Sequence, residues 1–149
     1  MLSIREDRDD DPIKDWSFMK PTLFLRIASL LTLIHCILHT IGGVLAGPKH
    51  GAEEASVIET MKPRRFDVMG SMRSYWDFFF GYGLFITLAL LVQAVLFWQL
   101  ARVMKTNSAL AKPVVVLFLC NYIVMAVISW NFFFIAPAVT ELLIALQAA

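Results

Sequence analysis

Three long stretches of this chain carry almost no charge, and nothing else in the sequence restricts its fold as strongly. Ile27 to Ala46 and Phe78 to Ala101 contain no Asp, Glu, Lys or Arg, and Pro113 to Ala149 contain only Glu141. A spanning helix needs roughly 20 consecutive apolar residues, so each of the first two windows is long enough for one pass. The third has 37 positions, and at about 1.5 Å per residue that is too long for one. A turn is expected between Ser129 and Pro137, where Asn131 can satisfy bare backbone and Pro137 suits the first turn of a new helix.

The sequence therefore predicts an all-α integral membrane protein, a four-transmembrane-helix bundle. Its spans are expected near residues 22–46, 76–101, 109–130 and 134–149, with one long extracytoplasmic loop over 47–75. The last span, at roughly 20 Å, is short for a hydrocarbon core of about 30 Å. Residues 1–20 read as an acidic, disordered cytoplasmic tail around Asp9 to Asp11, with Trp16 and Phe18 as interface anchors. The apolar run behind that tail is longer than a signal peptide's, so it reads as a retained span.

Composition supports this class and excludes others. Hydrophobic residues make up 58% of the chain and charged residues 17%, with a mean hydropathy of +0.68. The formal net charge of +1 provides no footprint for nucleic acid. Cys36 and Cys120 stand apart, without the spacing of a thiol redox pair.

Basic residues near the spans set the orientation. Lys14, Lys20, Arg26, Arg102, Lys105 and Lys112 would lie on one side, and Lys49, Lys62, Arg64, Arg65 and Arg73 on the other. The slight excess, and the lack of acids in the short loop, put both termini in the cytoplasm of a multi-pass protein of the cell membrane.

Polar residues within the spans indicate which faces turn inward. In the first helix Ser29, Thr32, His35 or Cys36, His39 and Gly43 recur every three or four residues, along one face. The second helix offers Gly81, Gly83, Thr87 and Gln93, which read mostly as packing surface. His39, Asn121 and Glu141 fall at a common expected depth, roughly 8 to 12 Å from the outer ends of their helices. A glutamate in hydrocarbon is costly unless neutralised, paired or hydrated, and His39 is the expected partner of Glu141. His35 and His39, at i and i+4, could chelate one metal but could not be opposite axial ligands of one haem. Glu141 is the only third zinc ligand in view, so no metal or other cofactor is expected.

Between Lys62 and Gly83, charge, aromatic and glycine residues interleave. Ser74 with Asp77 fits a capping box at the start of the second span, whereas a start at Ser71 would make Arg73 and Asp77 an i, i+4 ion pair. Arg64, Asp67 and Arg73 could close the bundle as a charged network or receive an anionic head group. Ala52 to Met61 reads as a short surface helix, with Val57, Ile58 and Met61 turned to the interface.

The run Arg65-Phe66-Asp67-Val68-Met69-Gly70, then Arg73-Ser74-Tyr75-Trp76-Asp77 and Gly81-Tyr82-Gly83, with Phe132 to Pro137 later, resembles a family of small, uncharacterised bacterial four-span membrane proteins. The resemblance covers residues 22–149 and implies the fold without an activity. A more distant architectural likeness is to DoxX-like proteins and the sterol-isomerase-related bundles, and fold alone does not carry function.

Together these features predict a polar intramembrane pocket lined by His35, His39, Asp77, Asn121 and Glu141 and roofed by Arg64, Asp67 and Arg73. The expected partners are membrane lipids and a small amphiphile such as a lipid or quinone, with a homo-oligomer possible in principle. Two alternatives are a membrane-embedded acid or base enzyme using Glu141, His39 or Asp77, and an assembly subunit whose polar groups only hold its helices.

Overall fold

The computed structural model describes residues 12–148. Helix α1 runs Pro12–His39 and continues into a π-helical turn, Thr40–Val44; a short helix α2 covers Ala52–Met61. Strands β1 (Arg65–Val68) and β2 (Ser71–Ser74) form an antiparallel hairpin. Helices α3 (Tyr75–Thr106), α4 (Ser108–Phe132) and α5 (Ile135–Ala148) complete the chain.

Pro21–Val44, Tyr75–Thr106 and Ser108–Phe132 are long and apolar enough to cross a membrane, whereas Ile135–Ala148 is a shorter apolar helix. The break after Phe132 falls inside the expected turn, where the Phe133 amide donates to the Ser129 carbonyl at 3.0 Å. Residues 12–20, expected as part of the tail, are helical and continuous with the first span. Asp9 to Asp11 and the side chains of Trp16 and Phe18 lie outside the described residues.

Local chemistry explains the other boundaries. Ser74 and Asp77 form a reciprocal capping box: the Asp77 amide donates to Ser74 Oγ at 3.1 Å and the Ser74 amide donates to Asp77 Oδ2 at 2.8 Å. Asn107 alone links α3 to α4; its amide bonds the Val103 carbonyl and its Oδ1 accepts from the Leu110 amide at 3.1 Å. One residue thus ends one helix and starts the next, and α4 folds back along α3, with Phe97 against Phe118 and Tyr122.

Helix α1 packs against α3 and α5, while α4 packs against α5 and α3. The core gathers Leu25, Ala28, Phe97, Ala101, Ala111, Tyr122, Ile144 and Ala145. Phe97 stands at its centre, with ring centroids 4.6 Å from Phe118 and 5.8 Å from Tyr122. Leucine, isoleucine, valine and phenylalanine dominate the exposed surface of α1, α3 and α4, which is how helices present themselves to lipid.

The hairpin was not legible in the sequence. Its turn places Met69 at φ +52° and Gly70 at φ +83°, the left-handed pair of a two-residue turn that normally begins with Asn or Asp. The ring of Phe66 anchors it to α3, 4.9 Å from Tyr75 and 6.3 Å from Phe78. The ammonium of Lys62 sits 4.9 Å above the Trp76 ring and ties down the end of α2.

Candidate functional site

Polar residues of α1 do face inward, and most are consumed in holding α1 to its neighbours. Ser29 Oγ donates to the Ala94 carbonyl at 2.7 Å, and Cys36 Sγ donates to the Thr87 carbonyl at 3.3 Å. Thr40 Oγ1 donates its one hydrogen to the Cys36 carbonyl, so the Thr87 hydroxyl must be the donor in the 3.0 Å bond between the two threonines. Likewise Thr32 Oγ1 donates to the Ala28 carbonyl at 2.8 Å, which makes the Tyr122 hydroxyl the donor to Thr32 at 3.2 Å.

His39 belongs to the same seam. Its Nε2 lies 3.1 Å from the Gly83 carbonyl, and because a carbonyl only accepts, Nε2 carries the hydrogen. The chains come close there: a Cβ on Gly83 would lie 2.9 Å from Val44 Cγ2 and 3.3 Å from Cγ1. The π-helical turn, with its Leu45 amide to Thr40 carbonyl bond of 2.8 Å, brings Val44 to that point.

The expected meeting of His39, Asn121 and Glu141 does not occur. Asn121 is exposed on the outer face of α4, and its Nδ2 reaches only Met125 Sδ, at 3.3 Å. Its neighbour Tyr122 takes the inward position instead, since consecutive helical residues point about 100° apart. Glu141 is 3% exposed; its polar neighbour is the Ser129 hydroxyl, and Tyr122 is the other titratable group it acts on. Among the described residues Glu141 Oε2 has no hydrogen-bond partner, and neither do His35 Nδ1 or Gln93 Oε1. No group of three His, Cys, Asp or Glu side chains is placed to hold a metal ion among those residues.

A recess lies instead at the loop end of α3. Arg73, Asp77, Phe78, Gly81, Tyr82 and Phe85 line a groove of about 290 Å³. Its floor follows helical spacing, because Phe78, Gly81, Tyr82 and Phe85 fall on one face of α3. The absent Gly81 side chain opens it, since a Cβ there would meet nothing within 4 Å. Its mouth is charged. The cap resolves the two readings of Ser71 to Asp77: Asp77 serves the Ser74 amide, and Arg73, in β2, donates from Nη1 to the Met72 carbonyl at 3.1 Å.

Of the eight expected site residues, the groove thus unites Asp77 and Arg73, while Arg64 and Asp67 are exposed and do not line it. Asp67 pairs across the hairpin with Met72, on the face opposite Arg73, because neighbouring strand residues alternate sides. His35 and His39 lie along the α1 seam, away from the groove lining. The aromatics Phe78, Tyr82 and Phe85, which line the groove, were not among the expected site residues; their spacing from Asp77 was the available signal.

Three helices are long and apolar enough to cross a membrane, which is compatible with a multi-pass membrane protein. Comparison of the chain with protein-family models, curated proteins and solved structures finds no match. The chemistry of the groove and of the buried carboxyl is therefore the ground for a functional reading.

Proposed function

We propose that this chain is a four-pass membrane protein, of the small bacterial type it resembles, that binds a lipid or similar small amphiphile at the loop end of α3. In this reading α5 is the fourth pass. It has 14 residues, about 21 Å of helix, so it covers only part of a hydrocarbon core of about 30 Å. The balance of bases puts both termini in the cytoplasm and the hairpin on the outer side.

The observation that carries the ligand assignment is the groove itself: an arginine and an aspartate stand at the mouth of a floor made of Phe78, Tyr82 and Phe85. An amphiphile needs that order, with charge at the interface and aromatic surface below it. Polar groups deeper in the bundle are largely committed to one another or to backbone carbonyls. The test is native mass spectrometry of the full chain released from mild detergent with mixed phospholipids. Wild type should retain one lipid per chain, and Gly81→Leu, which fills the groove, should lose it without unfolding. Equal retention by both would refute the assignment.

A second reading has one observation in its favour, the unpartnered Oε2 of Glu141. There the buried carboxyl would exchange a proton as an acid or base, without His39, which is held by Gly83.

A further inference from the structure

The groove offers two groups of opposite charge, each with hydrogen-bonding capacity to spare, and this restricts the head group it can accept. Asp77 Oδ2 accepts from the Ser74 amide, and the Ser74 side chain also bonds the carboxylate. A carboxylate offers about four lone-pair sites, so acceptor capacity remains for a further N–H or O–H donor. Arg73 spends one of its guanidinium hydrogens on the Met72 carbonyl. Its remaining N–H groups face no acceptor among the described residues, and a guanidinium fork matches two oxygens of a phosphate.

Strand geometry keeps this pairing apart from the other bases. Phe66 and Arg73 are cross-strand partners and share a face of the hairpin, the face that Phe66 docks on Tyr75 and Phe78. Arg65, which also acts electrostatically on Asp77, pairs with Ser74 on the opposite face and does not line the groove. Lys62 is engaged over Trp76. The lining therefore holds one cation and one anion, above an aromatic floor.

The geometry points to a zwitterionic phospholipid with a primary ammonium, a phosphatidylethanolamine, as the occupant: its phosphate on Arg73, its ammonium on the Asp77 carboxylate, and an acyl chain along Phe78, Gly81, Tyr82 and Phe85. This rests on the amphiphile-binding reading and narrows it. A phosphatidylcholine has the same charges, but its quaternary nitrogen has no hydrogen to give Asp77. A phosphatidylglycerol brings a net negative charge to a lining that is neutral, and offers Asp77 only neutral hydroxyl donors. A charge-assisted hydrogen bond is worth enough to separate these lipids by on the order of tenfold in retention.

The experiment uses the full-length protein in mild detergent. It is equilibrated with equimolar phosphatidylethanolamine, its N-monomethyl and N,N-dimethyl derivatives, phosphatidylcholine and phosphatidylglycerol of identical chains, and bound lipid is read by native mass spectrometry. Retention should fall chiefly at the last methylation, which removes the final N–H donor, with the phosphatidylcholine and phosphatidylglycerol forms on the order of tenfold below the parent. Asp77→Asn keeps an oxygen for the Ser74 amide and should flatten the methylation series, whereas Arg73→Gln should lower retention of every phospholipid. Bound lipid that mirrors the supplied mixture in wild type, yet is still lost in Gly81→Leu, would overturn the head-group assignment and leave amphiphile binding standing. Absence of bound lipid in wild type would overturn both, and the wild-type series decides the matter even if Asp77→Asn fails to fold.

Discussion

The seam between α1 and α3 and the mouth of α3 draw on polar side chains only a few residues apart, and use them in opposite ways. In the seam, hydroxyls, a thiol and an imidazole are paired with backbone carbonyls or with each other. At the mouth, Arg73 and Asp77 each retain hydrogen-bonding capacity directed to no described residue. A satisfied polar group inside a membrane holds helices together, whereas an unsatisfied one at the interface is available to a ligand. Gly83 and Gly81 sit on the two sides of this divide, two positions apart on one helix.

The largest effect should come from breaking the seam. Gly83→Val would drive a branched side chain into Val44 and separate His39 from its carbonyl, costing about 1–3 kcal/mol, as overpacking does. Gly81→Ala, with open space around it, should be neutral or gain up to about 1 kcal/mol from helix propensity. Thermal unfolding of both variants in the same detergent checks the contrast; equal losses would show that the two glycines are not on different sides of any divide.

Glu141 tests whether a buried group can belong to neither category. Its carboxyl is buried beside Ser129 with one oxygen unpaired, and leaving such a group unsatisfied costs about 1–3 kcal/mol. Glu141→Leu should therefore raise the melting temperature. A lower one would mean that the carboxyl stabilises the helices after all.

At the mouth, Ser74→Ala removes the hydroxyl that accepts from the Asp77 amide and should destabilise by about 1 kcal/mol, the typical worth of a helix cap. Hydrogen exchange should rise at the first turn of α3 while the α1–α3 seam stays protected. Protection lost equally in both regions would show one cooperative unit instead of two.

The smallest effect concerns the segment before α2. Glu54 Oε2 accepts from the Lys49 and His50 amides at 2.6 and 2.7 Å, and these bonds, that to His50 foremost, hold its carboxyl below the ordinary glutamate range. With the folded value depressed, the stabilisation is present above the ordinary value of about 4.3 and is lost as pH falls through the folded one. The protection of the Lys49 and His50 amides, corrected for intrinsic exchange, should fall in that acid range with no change at the seam. Protection that is constant with pH would show that the carboxylate does not hold the turn.

Much of the helical layout could be read from charge-free windows, because a spanning helix has no other way to satisfy its backbone. The turn near Phe133, the surface helix Ala52–Met61 and the Ser74 cap all follow from local residue chemistry. The inward face of α1 was legible for the same reason, from Ser29, Thr32, Cys36 and His39 at helical spacing. Placement between helices was not legible. Depth counted from helix ends gives height but not rotation, so Asn121 was assigned inward when its neighbour Tyr122 holds that position. The hairpin escaped because methionine, which gives no turn signal, occupies the left-handed position ahead of Gly70.

The central claim is that ligand chemistry resides at the mouth of α3 and not in the polar interior. Photocrosslinking tests it most directly: a phosphatidylethanolamine with a diazirine near the head of one acyl chain is bound, irradiated, and its adducts are mapped by peptide mass spectrometry. The account predicts adducts concentrated between Phe78 and Phe85 and abolished by Gly81→Leu. Adducts centred on the His39 and Glu141 segments, or spread evenly over the outward faces of α1, α3 and α4, would contradict it.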